Sequence, residues 1–163
     1  MRQLQNIVKG EACMKVFKPI LVLFCSLSAG MLFTTAFAQD INKTKNRIAI
    51  EGYDVTAYFT EHKPVKGISQ FNFEWGGAIW HFASANGLSL FRENPQKYAP
   101  QYGGYCSNGL SDGHKVGADP RNWRIIDGKL YLFFSQYGRD QWSGKVKSLM
   151  QSAEETWQVL KKE

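Results

Sequence analysis

The first 38 residues have the three-part pattern of a cleavable export signal, and this pattern limits the folded protein to the rest of the chain. Two lysines precede an apolar run over residues 19–35, and the small-x-small sequence Ala36-Phe37-Ala38 follows. That order is typical of a secretory signal, whereas a membrane-spanning helix needs about 20 apolar residues. We therefore expect cleavage after Ala38, a periplasmic or secreted location, and no stable membrane anchor afterwards. Translation can begin at Met1 or at Met14.

Beyond the predicted signal, the chain contains a single cysteine, Cys106. An exported domain with one thiol cannot close an internal disulfide, so its hydrophobic core has to supply the stability. The cysteine itself has four alternatives: a buried small hydrophobe, a reactive thiol, a metal ligand, or half of a disulfide with another chain. A disulfide-linked homodimer is the simplest form of the last alternative.

The segment that remains after cleavage has the size of one domain. Residues 39–47 are mostly polar, which predicts a flexible leader, and residues 48–163 form the predicted domain. No internal repeat is evident. The chain has 20 Lys and Arg against 14 Asp and Glu. No basic stripe alternates with aromatic residues, so we expect no nucleic-acid partner.

Two stretches have the pattern of β-hairpins. Residues 70–82 alternate apolar and polar side chains around Gly76-Gly77, and residues 123–134 surround Asp127-Gly128. From Trp142 to Leu160, apolar residues recur at steps of three and four, which predicts a C-terminal amphipathic helix. The expected fold is a small single α+β domain in which antiparallel hairpins pack against helices.

Several blocks of sequence, in order, resemble the YHS domain family. Trp-His-Phe-Ala-Ser at residues 80–84 and Asn-Pro-Gln-Lys-Tyr at residues 94–98 look like the family signature. Residues 52–59, 98–106 and 127–132 are similar to exported, stand-alone YHS proteins, some of which carry selenocysteine at the position of Cys106. The resemblance implies that Cys106 is the working atom of a soft-metal-binding or thiol-redox module.

The resemblance also implies where a metal would bind. Broader YHS relatives are thought to bind heavy metals through cysteines, but Ala83 and Gly87 stand at those places in this chain. The candidate ligands are therefore Cys106, His81 and His114, for copper, zinc or iron. Each histidine has a structural alternative, His81 in the core and His114 in a solvated loop.

The sequence contains no readable catalytic set. Cys-x-x-Cys, His-x-x-x-His, Gly-x-Ser-x-Gly and phosphate-loop patterns do not occur. An enzyme is therefore not expected. The partner of a metal or redox module would be a metal ion or a redox protein. The alternative is a non-catalytic interaction module in which Cys106 is buried and structural.

Overall fold

The structure, a computed structural model, describes residues 39–161, and within them it contains two β-hairpins and six helices. The strands are β1 Ile68–Trp75, β2 Ala78–Phe82, β3 Asp119–Ile126 and β4 Lys129–Phe133. The helices are α1 Ala57–Thr60, α2 Ala85–Glu93, α3 Pro95–Tyr98, α4 Ser107–Ser111, α5 Gln136–Gln141 and α6 Val146–Leu160. This arrangement confirms the predicted α+β fold. The predicted export signal lies outside the described residues, and no helix of the described part is long and apolar enough to span a bilayer.

Both predicted hairpins are confirmed. The pairs β1–β2 and β3–β4 are antiparallel, and they form two separate two-stranded sheets. Gly76 and Gly77 have φ angles of 61° and 80°, and Asp127 and Gly128 have φ angles of 50° and 71°. Two consecutive left-handed residues are what a tight primed turn between twisted strands requires.

Two hydrophobic clusters hold the elements together. The larger is centred on fully buried aromatic side chains from β2 and α2, including Trp80, Phe82 and Phe91. The smaller is built around Tyr131, Phe133 and Trp142, against which α4 and α6 pack. Because the described domain has no disulfide, burial of these large side chains is its main source of stability.

The predicted C-terminal helix is shorter at its start than the apolar spacing indicates. Trp142 follows the end of α5, and α6 begins only at Val146. Gly144 lies between them at a φ of 82°, a left-handed conformation that an α-helix cannot contain. Trp142 still faces the core, which explains why its spacing agrees with that of the helix.

The segment predicted to be a flexible leader, residues 39–47, packs against the domain in its first part. Ile41 is buried in the larger cluster, and the Asn42 backbone N–H donates to the Gly103 carbonyl at 2.9 Å. A Cβ atom on Gly103 would lie 1.9 Å from the Asp40 carbonyl oxygen, so only glycine allows this approach. The polar composition of the segment concealed one apolar anchor and a set of backbone hydrogen bonds.

The sequence predicted no internal repeat, and this prediction is wrong. The two hairpins belong to two copies of one structural unit. In β1–β2 the register runs from Ile68↔Phe82 to Trp75↔Ala78, and in β3–β4 it runs from Asp119↔Phe133 to Ile126↔Lys129. Each position in the second hairpin is 51 places after its counterpart, and both hairpins have their irregularity at the same point. The correspondence continues into the helix that follows each hairpin. Ser84 caps α2 by accepting from Gly87 N–H, and Ser135 caps α5 by accepting from Gly138 N–H.

The repeat also includes the segment before each hairpin. Three consecutive left-handed residues occur at Ile50–Gly52, with φ angles of 48°, 51° and 77°. They occur again 52 places later, over residues 102–104, with φ angles of 53°, 60° and 82°. The first unit has one residue, Pro64, that has no counterpart in the second unit. From Val65 onward the offset is therefore 51. We call residues 50–93 the first unit and residues 102–141 the second unit.

Candidate functional site

Cys106 is the N-cap residue of α4, in the second unit. Its Sγ accepts hydrogen bonds from the backbone N–H groups of Gly109, at 3.3 Å, and Phe134, at 3.2 Å. The residue is 3% exposed and its thiol is free. The sulfur is therefore buried, but it lies among polar donors as well as hydrocarbon. Such donors stabilise a negatively charged sulfur, which is the reactive form of a cysteine.

The counterpart of Cys106 in the first unit is Asp54. The backbone N–H of Asp54 donates to the Val65 carbonyl, as that of Cys106 donates to Val116. Asp54 is 2% exposed, and its Oδ2 accepts from the Ala83 N–H at 2.8 Å. Ala83 and Phe134 are themselves equivalent, since each immediately precedes the serine that caps a helix. Equivalent backbone N–H groups thus donate to a carboxylate in the first unit and to a thiol in the second.

The donors around Asp54 are more numerous than those around Cys106. Its Oδ1 accepts from the Thr56 N–H at 2.8 Å and from the Thr56 hydroxyl at 2.6 Å. With the Ala83 donor, three hydrogen bonds hold the buried carboxylate, which is what a buried charge requires. Asp54 is therefore a structural residue that the sequence did not mark as important.

The residue after Cys106 also differs between the units. Ser107 is fully buried, and its hydroxyl finds no hydrogen-bond partner among residues 39–161. Its counterpart in the first unit is Val55, which is fully buried and apolar. A buried hydroxyl without a partner is unfavourable, and native proteins contain few of them. Ser107 therefore lowers the stability of the fold, whereas the apolar Val55 at the equivalent position does not.

Two aromatic residues that follow the second hairpin are exposed. Phe134, whose N–H donates to the sulfur, is 68% exposed, and Tyr137 is 75% exposed. The equivalent residues of the first unit are Ala83 and Asn86. Phe134 also lines a shallow cleft of about 310 Å³, together with residues that include Tyr53, Gly117 and Arg121.

The two candidate histidines lie on different elements from the cysteine. His81 is a partly buried residue of β2, with its Nδ1 close to Gly52. His114 is an exposed residue of the loop after α4, and its backbone N–H donates to the Gly109 carbonyl at 2.8 Å. Across residues 39–161, no three His, Cys, Asp or Glu side chains form a group that could hold a metal ion.

The geometry also explains why the metal-binding cysteines implied by the resemblance have no place here. A Cβ atom on Gly87 would lie 2.8 Å from Thr56 Oγ1 and 2.9 Å from Asp54 Oδ2. A thiol at this position would therefore displace the side chains that hold the Asp54 carboxylate. Ala83 contributes its backbone N–H to the same carboxylate. The space that a metal site would need is taken by a hydrogen-bonded acid.

A second polar cluster lies beside the cysteine, around Lys115. Lys115 Nζ contacts Asp40 Oδ2 at 3.0 Å and donates to the Leu160 carbonyl at 2.8 Å. The Tyr105 hydroxyl donates to Asp40 Oδ1 at 3.0 Å. Burial, and then the hydrogen bond to Asp40, raise the pKa of Tyr105 to about 12. This cluster joins the N-terminal segment, the loop after α4 and the end of α6.

Comparison with known proteins identifies the first unit. The family model for the YHS domain matches residues 56–102, so the chain contains a YHS domain. The match covers most of the first unit and ends where the second unit begins. No curated protein and no solved structure matches the chain.

Three features of the site escaped sequence reasoning: the repeat, Asp54 and Lys115. A weak signal for the repeat was present, because Gly-Tyr occurs at residues 52–53 and 104–105, and His-Lys occurs at residues 62–63 and 114–115. Ser-x-x-Gly occurs at residues 84–87 and 135–138. These matches fall at offsets of 51 and 52, and aligning them places Asp54 opposite Cys106.

Proposed function

We propose that the protein is an exported YHS-domain module in which the Cys106 thiol undergoes reversible oxidation. The observation that carries this proposal is the equivalence of Cys106 and Asp54. One unit uses the position for a buried anion, and the other places there a sulfur that accepts two backbone N–H groups. Backbone N–H donors of this kind are found around reactive cysteines, whose thiolate is the nucleophilic form.

The chemistry requires a peroxide or another two-electron oxidant. The thiolate attacks one oxygen of a hydroperoxide, an S–O bond forms and the O–O bond breaks. Sulfur is oxidised to a sulfenic acid, while the peroxide is reduced and its second oxygen leaves as hydroxide or alkoxide and takes up a proton. The oxygen on sulfur then extends into a site where backbone donors already hold an anion in the equivalent unit.

Reduction needs a thiol from another molecule, because residues 39–163 contain one cysteine. That thiol attacks the sulfenic acid, a disulfide forms and water leaves. A second thiol then releases Cys106. The partner is a redox protein that docks on the exposed surface of Phe134 and Tyr137, or a second copy of the chain, which gives a disulfide-linked homodimer.

The test is peroxide treatment of the protein that begins at Gln39, followed by intact-mass spectrometry. We expect a gain of one oxygen that dithiothreitol reverses, and no gain in the Cys106→Ser variant. Trapping with dimedone should label Cys106 alone. Absence of any oxygen adduct at Cys106 in the folded protein, under conditions that oxidise a free thiol, would contradict the proposal.

A second candidate function is a non-catalytic interaction module with a structural cysteine. It is favoured by the 3% exposure of Cys106 and by the role of its sulfur as the cap of α4. In that case thiol reagents would modify Cys106 only at the rate of global unfolding.

The metal hypothesis has a separate test. In it, Cys106 with His81 or His114 would give an open site for copper, zinc or iron. Elemental analysis of the wild type, compared with the Cys106→Ser variant, measures whether metal is bound through this cysteine.

Export is part of the proposal and has its own test. We propose that residues 1–38 direct the chain to the periplasm or the medium and are then removed. N-terminal sequencing of protein recovered from outside the cytoplasm should begin at Gln39. A chain that keeps its first residues and stays with the membrane would contradict this part and leave the thiol chemistry untouched.

A further inference from the structure

We infer that residues 112–117 form a lid over Cys106 that Lys115 holds closed; this inference rests on the proposed thiol function. The backbone N–H of Cys106 donates to the Val116 carbonyl at 2.9 Å. Around the position of a Cβ on Gly109 lie Val116 Cγ2 at 2.8 Å, the His114 carbonyl oxygen at 3.1 Å and Cys106 Cβ at 3.6 Å. The loop after α4 is thus in direct contact with the cysteine.

Lys115 is the tether of this lid. Its Nζ joins the lid to Asp40 in the N-terminal segment and to the Leu160 carbonyl at the end of α6. Lys115 and Asp40 side chains are each 22% exposed, and the Tyr105 hydroxyl holds Asp40 in place. A partly buried ion pair with added hydrogen bonds is stronger than a free surface pair.

The first unit lacks this tether, which makes the tether a specific feature of the second. Lys63 is the counterpart of Lys115, and it pairs with Glu61 of its own loop. Those two side chains are 62% and 46% exposed. The equivalent loop of the first unit also contains Pro64, which restricts its backbone. Only the loop beside the thiol is bound to both ends of the domain.

The lid has glycines at two of its positions. Gly113 has a φ of 87°, and a Cβ there would meet no atom within 4 Å. Gly117 is exposed, and a Cβ there would touch only the Asn42 side chain at 3.8 Å. With these two points free to rotate, release of Lys115 lets the loop leave Cys106 without unfolding the hydrophobic clusters. Salt weakens the tether and is expected to favour opening.

The experiment measures the rate at which iodoacetamide alkylates Cys106 in folded protein that begins at Gln39. We expect Lys115→Met to react roughly tenfold faster than the wild type, as expected when a local opening loses its main tether. Lys63→Met is the matched control and should react at the wild-type rate. Asp40→Asn removes the same ion pair from its other side and should also accelerate alkylation.

Unfolding rates, measured in denaturant and extrapolated to water, separate opening from instability. The lid proposal is contradicted if Cys106 is alkylated at the wild-type rate in Lys115→Met and Asp40→Asn. It is also contradicted if the acceleration of alkylation equals the increase in the unfolding rates of these variants. Failure of the proposed function appears differently: the variants alkylate faster, yet peroxide gives no oxygen adduct on Cys106 in any of them.

Discussion

In the first unit the left-handed turn leads to Asp54, and in the second unit the same turn leads to Cys106. Within residues 39–161, three donors satisfy the carboxylate of Asp54, whereas the sulfur receives two and the neighbouring Ser107 hydroxyl has no partner. Phe134, whose N–H donates to the sulfur, is an exposed aromatic residue, and its counterpart is Ala83. The comparison indicates that the second unit departs from local rules at this position, as functional sites commonly do.

The same division appears in the family comparison. The YHS model matches residues 56–102, but the thiol lies in the second unit, outside that match. The metal-binding cysteines of broader relatives would fall in the first unit, where Asp54 and Thr56 leave no room for a side chain at Gly87. The family match therefore covers the part of the molecule that does not contain Cys106.

Removal of the two equivalent side chains should have the largest and most unequal effects. Asp54→Ala leaves three buried donors without an acceptor, so we expect a loss of about 4 kcal/mol in the free energy of unfolding. Cys106→Ala removes one sulfur atom and should cost about 1–2 kcal/mol. Denaturant unfolding of both variants checks this, and equal losses would show that the units do not differ as proposed.

The glycines at the third helical positions provide a second contrast. Alanine at Gly87 would press against Thr56 Oγ1 and Asp54 Oδ2, whereas at Gly138 the nearest atom is Asn108 Cβ at 3.3 Å. We expect Gly87→Ala to lose about 2 kcal/mol. Gly138→Ala should stay within about 0.5 kcal/mol of the wild type, because helix propensity offsets the tighter contact. Thermal unfolding of the pair would refute the contrast if both variants behaved alike.

Ser107 allows a test in the opposite direction. Because its hydroxyl is buried without a partner among residues 39–161, we expect Ser107→Ala to gain about 1 kcal/mol of stability. The reciprocal change, Val55→Ser, should cost about 2 kcal/mol in the equivalent place. Urea midpoints at constant m-value are the measurement. A loss of stability in Ser107→Ala would mean that the hydroxyl has a partner and is part of the scaffold.

The smallest effect concerns alkaline pH and Tyr105. Its pKa is raised to about 12 in the folded protein, against about 10 in an unfolded chain. Its contribution to stability is therefore complete below pH 10 and is lost as the pH rises through about 12. Tyr105→Phe should show a shallower loss of unfolding free energy between pH 10 and 12. An unchanged slope would show that the hydrogen bond to Asp40 does not matter there.

The sequence predicted the hairpins well, because Gly76-Gly77 and Asp127-Gly128 impose turns by local geometry alone. It also drew attention to Cys106, since a single thiol is visible by counting, and the role of that thiol stays a prediction. It did not predict the burial of Ile41 or the role of Asp54, because both depend on contacts between residues far apart in the chain. The repeat was concealed because the two units share backbone conformation and only a few side chains, such as Ser84 and Ser135.

The candidate metal ligands show the same limit. His81 and His114 have the right chemistry for ligands, but spacing along the chain does not state which side chains converge. They lie on different elements, strand β2 and the loop after α4, and no metal-binding group of three or more His, Cys, Asp or Glu occurs among residues 39–161. The chemistry of a residue type can be read from sequence, whereas its neighbours depend on tertiary packing.

The claim that Cys106 occupies an anion site is tested most directly by comparing the stabilities of Cys106→Asp and Cys106→Val at neutral pH. If backbone donors make this position equivalent to that of Asp54, the aspartate variant folds within about 1 kcal/mol of the wild type and is more stable than the valine variant. If the position is an ordinary hydrophobic one, valine is tolerated and the buried carboxylate costs several kcal/mol, roughly the effective penalty for an unpaired charge. That second result would contradict the account.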